Sequence, residues 1–178
     1  MQTMDSLIDA AFNDMDLYPQ DIPQIDLYMD QILTLVNDGL EGNKRKPEDK
    51  LLTKTMINNY SKEHLIMPVK GKKYSREHVM QMLCIYRLKQ MLAMSDVHTL
   101  VSPCTKQPLN YERVYTNYLD SKEEIRRRMP EIVRDILKPE EKDLANPEER
   151  LAAALTLSCA ANYLRRLCES IVDSPLSE

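Results

Sequence analysis

The chain has 178 residues, 43% hydrophobic and 29% charged, with three glycines and no tryptophan; it can bury one sizeable core plus at most a smaller helical appendage, and its composition favours helix over sheet. No run approaches the roughly 18–20 apolar residues that a membrane span requires, and no positively charged, apolar signal segment opens the chain, so no membrane partner and a cytoplasmic location are expected. The net charge of −4 is unevenly spread: residues 1–43 carry nine acidic and no basic side chains, residues 44–89 carry twelve Lys or Arg against four acidic groups, and residues 90–178 carry a net −3.

In chain order, Asp5 to Asp14 can form a short helix. Leu17 to Pro23 reads as an extended connector, because Pro19 and Pro23 bias their predecessors away from helix. Leu27, Tyr28, Ile32, Leu35 and Val36 then recur at helical spacing with Gly39 as a stop, which predicts a first core helix at about 24–38. A basic loop at 42–46 follows, and Pro47-Glu48-Asp49 suits a helix start. Thr53 caps a helix predicted at 54–63, whose projection puts Met56, Ile57, Tyr60 and His64 on one side and Lys54, Thr55, Asn58, Asn59 and Lys62 on the other. His64 is thereby expected in the core, with His78 and His98 on the surface. Residues 66–74, with an extended start, Gly71 able to turn, and Lys70, Lys72 and Lys73 around it, read as a two-stranded wing.

Ser75 caps a helix expected at about 76–94, which has little polar surface and therefore belongs at the centre of a core. A short turn at Val97 to Val101 ends at Ser102-Pro103. Tyr111, Val114, Tyr115, Tyr118 and Leu119 follow i, i+3, i+4, i+7, i+8, a buried tyrosine-rich stripe. Pro130 is expected to interrupt or restart the helix that runs on to Leu137. The last helix opens on Asn146, Pro147, Glu148 and Glu149 and runs to about Val172. Within it Ala153, Leu157, Ala160, Leu164, Leu167 and Ile171 form a heptad seam that either packs inside one chain or pairs two chains.

The chemistry lies in the basic quarter. Asn side chains on a helix can bond bidentately to adenine edges in a major groove, and lysines beside them can reach phosphates or guanine. Lys70, Lys72 and Lys73 on a small ribbon and Arg76 at a helix start can contact the flanking backbone. The expected partner is double-stranded DNA, bound through Lys54, Thr55, Asn58, Asn59, Lys62, Lys70, Lys72, Lys73 and Arg76, with 54–63 as recognition helix. The alternative is an interaction or adaptor module whose basic face meets an acidic protein partner.

The runs Thr53 to Tyr60, Leu65 to Pro68 and Gly71 to Ser75 resemble the recognition helix, wing and following helix of MerR-type winged helix-turn-helix regulators. Arg-Tyr-Tyr usually stands there in place of Asn58-Asn59-Tyr60, and a glycine in place of His64. More closely, Leu52 to Tyr60 with Asp16-Leu17-Tyr18-Pro19 and Asp26-Leu27-Tyr28-Met29 resembles a bacterial family named domain of unknown function 1836, over roughly residues 16–105. The resemblance implies a transcriptional regulator.

No Gly-rich phosphate loop, His-Glu-x-x-His pattern or nucleophile elbow occurs, so no enzyme, cofactor or metal is expected. Cys84, Cys104, Cys159 and Cys168 contain no Cys-x-x-Cys pair and are expected as reduced thiols. The whole reads as an all-α protein: an acidic arm at 1–20, a winged helix-turn-helix domain with a small β wing at 21–105, and a helical dimerisation or packing segment at 106–178. A repressor acting as a homodimer is the expected form.

Overall fold

Short polar side chains set where several helices begin. Thr3 Oγ1, Thr53 Oγ1, Ser75 Oγ and Asn146 Oδ1 accept the backbone N–H groups of Ser6 (3.2 Å), Met56 (3.2 Å), His78 (3.4 Å) and Glu148 (2.9 Å), satisfying donors that a helix N-terminus otherwise leaves open. The computed structural model describes residues 3–69, 71–102 and 108–175. In chain order it has α1 (Met4–Ala11), β1 (Leu27–Tyr28), α2 (Met29–Gly39), α3 (Lys54–Lys62), β2 (Lys73–Tyr74), α4 (Arg76–Leu88), α5 (Met94–Val101), α6 (Tyr111–Leu137) and α7 (Pro147–Asp173). The fold is therefore helical with a small two-stranded antiparallel element, as the composition led us to expect.

The chain divides into two compact units, Met15–Asp120 and Met1–Asp14 with Ser121–Glu178. In the first, Ile32 and Val36 of α2, Ile57 and Tyr60 of α3, and Val79, Met82 and Ile85 of α4 are all completely buried. Tyr111 and Tyr115 at the start of α6 are buried too; the Tyr115 hydroxyl donates to Leu17 O at 2.8 Å, and burial raises its pKa. In the second unit, Met4, Ile8, Val133, Leu137 and Ala153 make a small cluster, with Phe12, Met129 and Leu144 against it.

Several expectations are corrected. The first core helix starts at Met29, because Leu27–Tyr28 pairs as a strand: Leu27 opposes Tyr74 and Tyr28 opposes Lys73. One strand of the β element thus comes from outside 66–74. The central helix ends at Leu88, and a separate helix already begins at Met94. Pro130 lies inside an unbroken α6; the one hydrogen bond a proline forfeits is outweighed by flanking turns that bury Val133 and Leu137. Of the tyrosine stripe, Tyr111, Tyr115 and Leu119 are buried, whereas Val114 is exposed and Tyr118 half-buried.

No helix forms at 47–52. The link from α2 to α3 is a loop, in which a backbone turn at 46–49 is closed by Asp49 N donating to Lys46 O (3.0 Å) and Lys46 N donating to Asp49 Oδ2 (3.0 Å). Asn37 on α2 holds the loop's end. Its Oδ1 accepts from Leu51 N at 3.1 Å, and its Nδ2 donates to Leu52 O at 2.9 Å, so both leucines drop into the core. This anchor is what lets so long a connection deliver α3 against α2.

Candidate nucleic-acid interface

The rotation of α3 about its axis is set by Ile57 and Tyr60, both fully buried. With those two inward, Lys54, Thr55, Asn58, Asn59 and Lys62 are all exposed. Neither the Asn58 nor the Asn59 amide has a hydrogen-bond partner among the described residues. Two adjacent asparagines that a helix does not use for capping offer donors and acceptors outward.

The helix ends in a way the apolar projection missed. His64 has φ 54 and is exposed, not packed in the core. Leu65 N donates to Tyr60 O (2.8 Å) and His64 N to Ser61 O (3.2 Å), the paired bonds of a Schellman cap whose left-handed residue is here a histidine. The cap turns the chain so that Leu65 and Ile66 re-enter the core. Gln81 of α4, 2% exposed, then grips the exit: its Nε2 donates to Leu65 O and its Oε1 accepts from Met67 N, each at 2.9 Å.

Past this clamp the chain reaches Gly71, whose φ of 75, and not any crowding of a would-be Cβ, marks a turn that favours glycine. Lys72 is exposed; the Lys73 ammonium stands 5.0 Å from the centroid of the Tyr28 ring, held by the β1–β2 pairing. Lys70 lies outside the described residues, as does Cys104. Arg76 faces inward: one guanidinium nitrogen pairs with Glu112 at 3.0 Å and another donates to Pro19 O at 2.9 Å, with its side chain 18% exposed. It serves the fold of its own unit. His78 is also structural, not surface, since its Nδ1 meets Ser75 Oγ at 2.7 Å in the capping box of α4; His98 is exposed.

Other cations of residues 44–89 sort the same way. Arg87 pairs with Asp16 at 2.8 Å and Lys44 with Glu41 at 3.5 Å. Arg45, Lys46, Lys50, Lys54, Lys62, Lys72, Lys73 and Lys89 have no ion pair among the described residues. Lys89, at the end of α4, comes within 5.8 Å of the Tyr60 ring and so stands beside α3. The contact joins residues far apart in sequence and is made on the Tyr60 side of α3, away from Asn58 and Asn59.

Several acidic residues of the N-terminal stretch pair within their own unit. Arg87 holds Asp16 within the first unit. Within the second, Arg134 binds Asp5 (3.0 Å) and Asp9, and Lys122 and Arg126 bind Asp14 at 2.5 and 2.9 Å. Burial alone would raise the Asp14 pKa, but hydrogen bonds from Lys122 and Arg126 outweigh it and hold the carboxyl below its ordinary value.

The compact unit Met15–Asp120 coincides almost residue for residue with a family match. The sequence profile described as Domain of unknown function (DUF1836) covers residues 17–118. The chain belongs to that family. No curated protein and no solved structure matches it. The DUF1836 region therefore includes the first turns of α6, beyond the 16–105 resemblance, because Tyr111, Tyr115 and Glu112 complete its core and its Arg76 ion pair. Among the described residues, no three His, Cys, Asp or Glu side chains could together hold a metal ion, and no helix is long and apolar enough to cross a membrane.

Proposed function

We propose that this DUF1836 protein is a sequence-specific DNA-binding transcriptional regulator, with α3 as recognition helix in the major groove and the Lys72–Lys73 turn on the flanking backbone. The observation that carries the reading is the outward face of α3: unengaged Asn58 and Asn59 amides between Lys54 and Lys62, beside cations with no ion pair. Amides read adenine edges and lysines neutralise phosphate, so one face supplies both sequence preference and salt-dependent affinity. The MerR-like docking of helix and turn belongs to this reading, as do a homodimer on a two-fold site and a cytoplasmic setting. No chemistry is performed on the ligand. Repression is the simplest mode, since occupying a promoter needs only the DNA-binding surface.

Selection from a random duplex library, followed by gel shifts at two salt concentrations, tests it. A recovered site that binds more tightly than its scrambled duplex, with affinity falling steeply as salt rises, is expected. Equal binding to site and scramble, with capture of an acidic polypeptide instead, would overturn it in favour of an adaptor that recognises a protein.

A further inference from the structure

The second compact unit leaves its longest apolar surface uncovered. α7 extends over 27 residues, about 40 Å at the rise of an α-helix, yet Ala153 is its one buried residue. From Ala154 onward no residue of the helix is fully buried among the described residues; Leu157, Leu164, Leu167 and Ile171 are 42–60% exposed and fall with Ala160 on one heptad seam. Most helical stability in proteins comes from packing an apolar face, and monomers rarely display so continuous an apolar stripe.

We propose that a second copy of this chain covers the seam, its α7 lying antiparallel with the two-fold axis near Asn162. This deepens the homodimer element of the proposed function but stands on the α7 surface alone, so it survives if the DNA reading fails.

The seam is self-complementary in that direction. Leu157 meets Leu167 of the partner subunit, and Ala160 meets the partner's Leu164, so no alanine faces an alanine. A parallel pair would instead stack Ala160 on Ala160 of the partner subunit between two leucine layers, leaving a void. The fold imposes the same choice. Ala153, where the seam begins, is already occupied by Met4, Ile8, Val133 and Leu137 of its own unit. In an antiparallel pair the partner's Ile171 arrives at that end, against the cleft that Ile136, Ala152 and Thr156 line, and covers Ile136, itself 56% exposed.

The area suffices. Covering Leu157, Tyr163, Leu164, Leu167, Ile171 and Ile136 removes on the order of 600 Å² per copy, or about 1,200 Å² for the pair, which reaches the size of a specific interface.

Sedimentation velocity of the full chain at tens of micromolar should give twice the 20.7 kDa chain mass. Leu164→Glu with Leu167→Glu should return it to the single-chain mass, while circular dichroism still shows the unfolding transition of the Met15–Asp120 unit. Orientation is read with Cys104, Cys159 and Cys168 replaced by serine. Under oxidation, Ala160→Cys with Leu164→Cys should cross-link to a dimer, and Leu164→Cys alone should not. A single-chain mass for the unmutated protein, a mass above two chains, or cross-linking by Leu164→Cys alone would each overturn the proposal.

Discussion

The two compact units solve the same problem, covering apolar helix faces, with opposite results. In Met15–Asp120 the helices bury most of their apolar residues: Ile32 and Val36 of α2, Ile57 and Tyr60 of α3 and the run Val79 to Leu83 of α4 are all buried. In Met1–Asp14 with Ser121–Glu178 five buried residues form the entire cluster, and charge does much of the joining, with Arg134, Lys122 and Arg126 gripping the acidic side chains of the N-terminal segment. A unit closed on itself can present polar groups outward, as α3 does. A unit with an exposed seam presents hydrophobic surface, which is where we propose that a second copy docks.

Mutation should separate the two. Ile57→Ala leaves a cavity in the closed core and should destabilise the chain by about 2–5 kcal/mol in denaturant unfolding. Leu164→Ala, on the exposed seam, should cost under about 0.5 kcal/mol at high dilution, with a larger effect appearing only as protein concentration rises. Equal losses from both at high dilution would show that α7 is packed within its own chain.

Gln81→Ala orphans the Leu65 carbonyl and the Met67 N–H at the exit of α3 and should cost about 1–3 kcal/mol. Hydrogen exchange should quicken first at 65–67; protection there unchanged would mean that the clamp is not what orders the exit.

At the interface, Asn58→Ala should lower affinity for a selected DNA site by about 1–3 kcal/mol and relax its sequence preference, whereas Lys72→Ala should weaken all duplexes alike and flatten the salt slope by about one. Neither should move the unfolding midpoint appreciably. If they do, the face belongs to the fold and not to a ligand.

His64→Gly relieves a left-handed φ and should add about 1 kcal/mol of stability, read as a raised urea midpoint.

The charged joint has a pH signature. The folded Asp14 carboxyl is held below its ordinary 3.8, so its contribution is fully present above that value and is lost as pH falls through the depressed folded value. An acid titration of the second unit should therefore lose slope below pH 4 in Asp14→Asn. An identical acid limb in that variant would remove Asp14 as the source.

Local pattern explains what could be read directly. Thr53, Ser75 and Asn146 announce helix starts through their own side-chain oxygens, and the period of Ile57 and Tyr60 against Asn58 and Lys62 is enough to divide α3 into a buried and an exposed face. The failures share a different cause. His64 fits the apolar period but lies two residues past the helix, where backbone hydrogen bonding and not hydrophobic spacing sets direction. Arg76 has the charge of a DNA contact, yet Glu112 and Pro19, distant in sequence, claim it. Leu27–Tyr28 reads as helix until Lys73–Tyr74 offers a strand to pair with.

By itself, then, the sequence determined the helical class, the basic quarter, the two faces of α3 and the heptad spacing of α7, because each depends on residues within a few turns of one another. Only the tertiary structure decided which cations are paired among the described residues, which strand completes the β element, that Lys89 meets the Tyr60 ring, and that the α7 seam is exposed. Those outcomes depend on pairs of residues far apart in the chain, whose meeting no local period encodes.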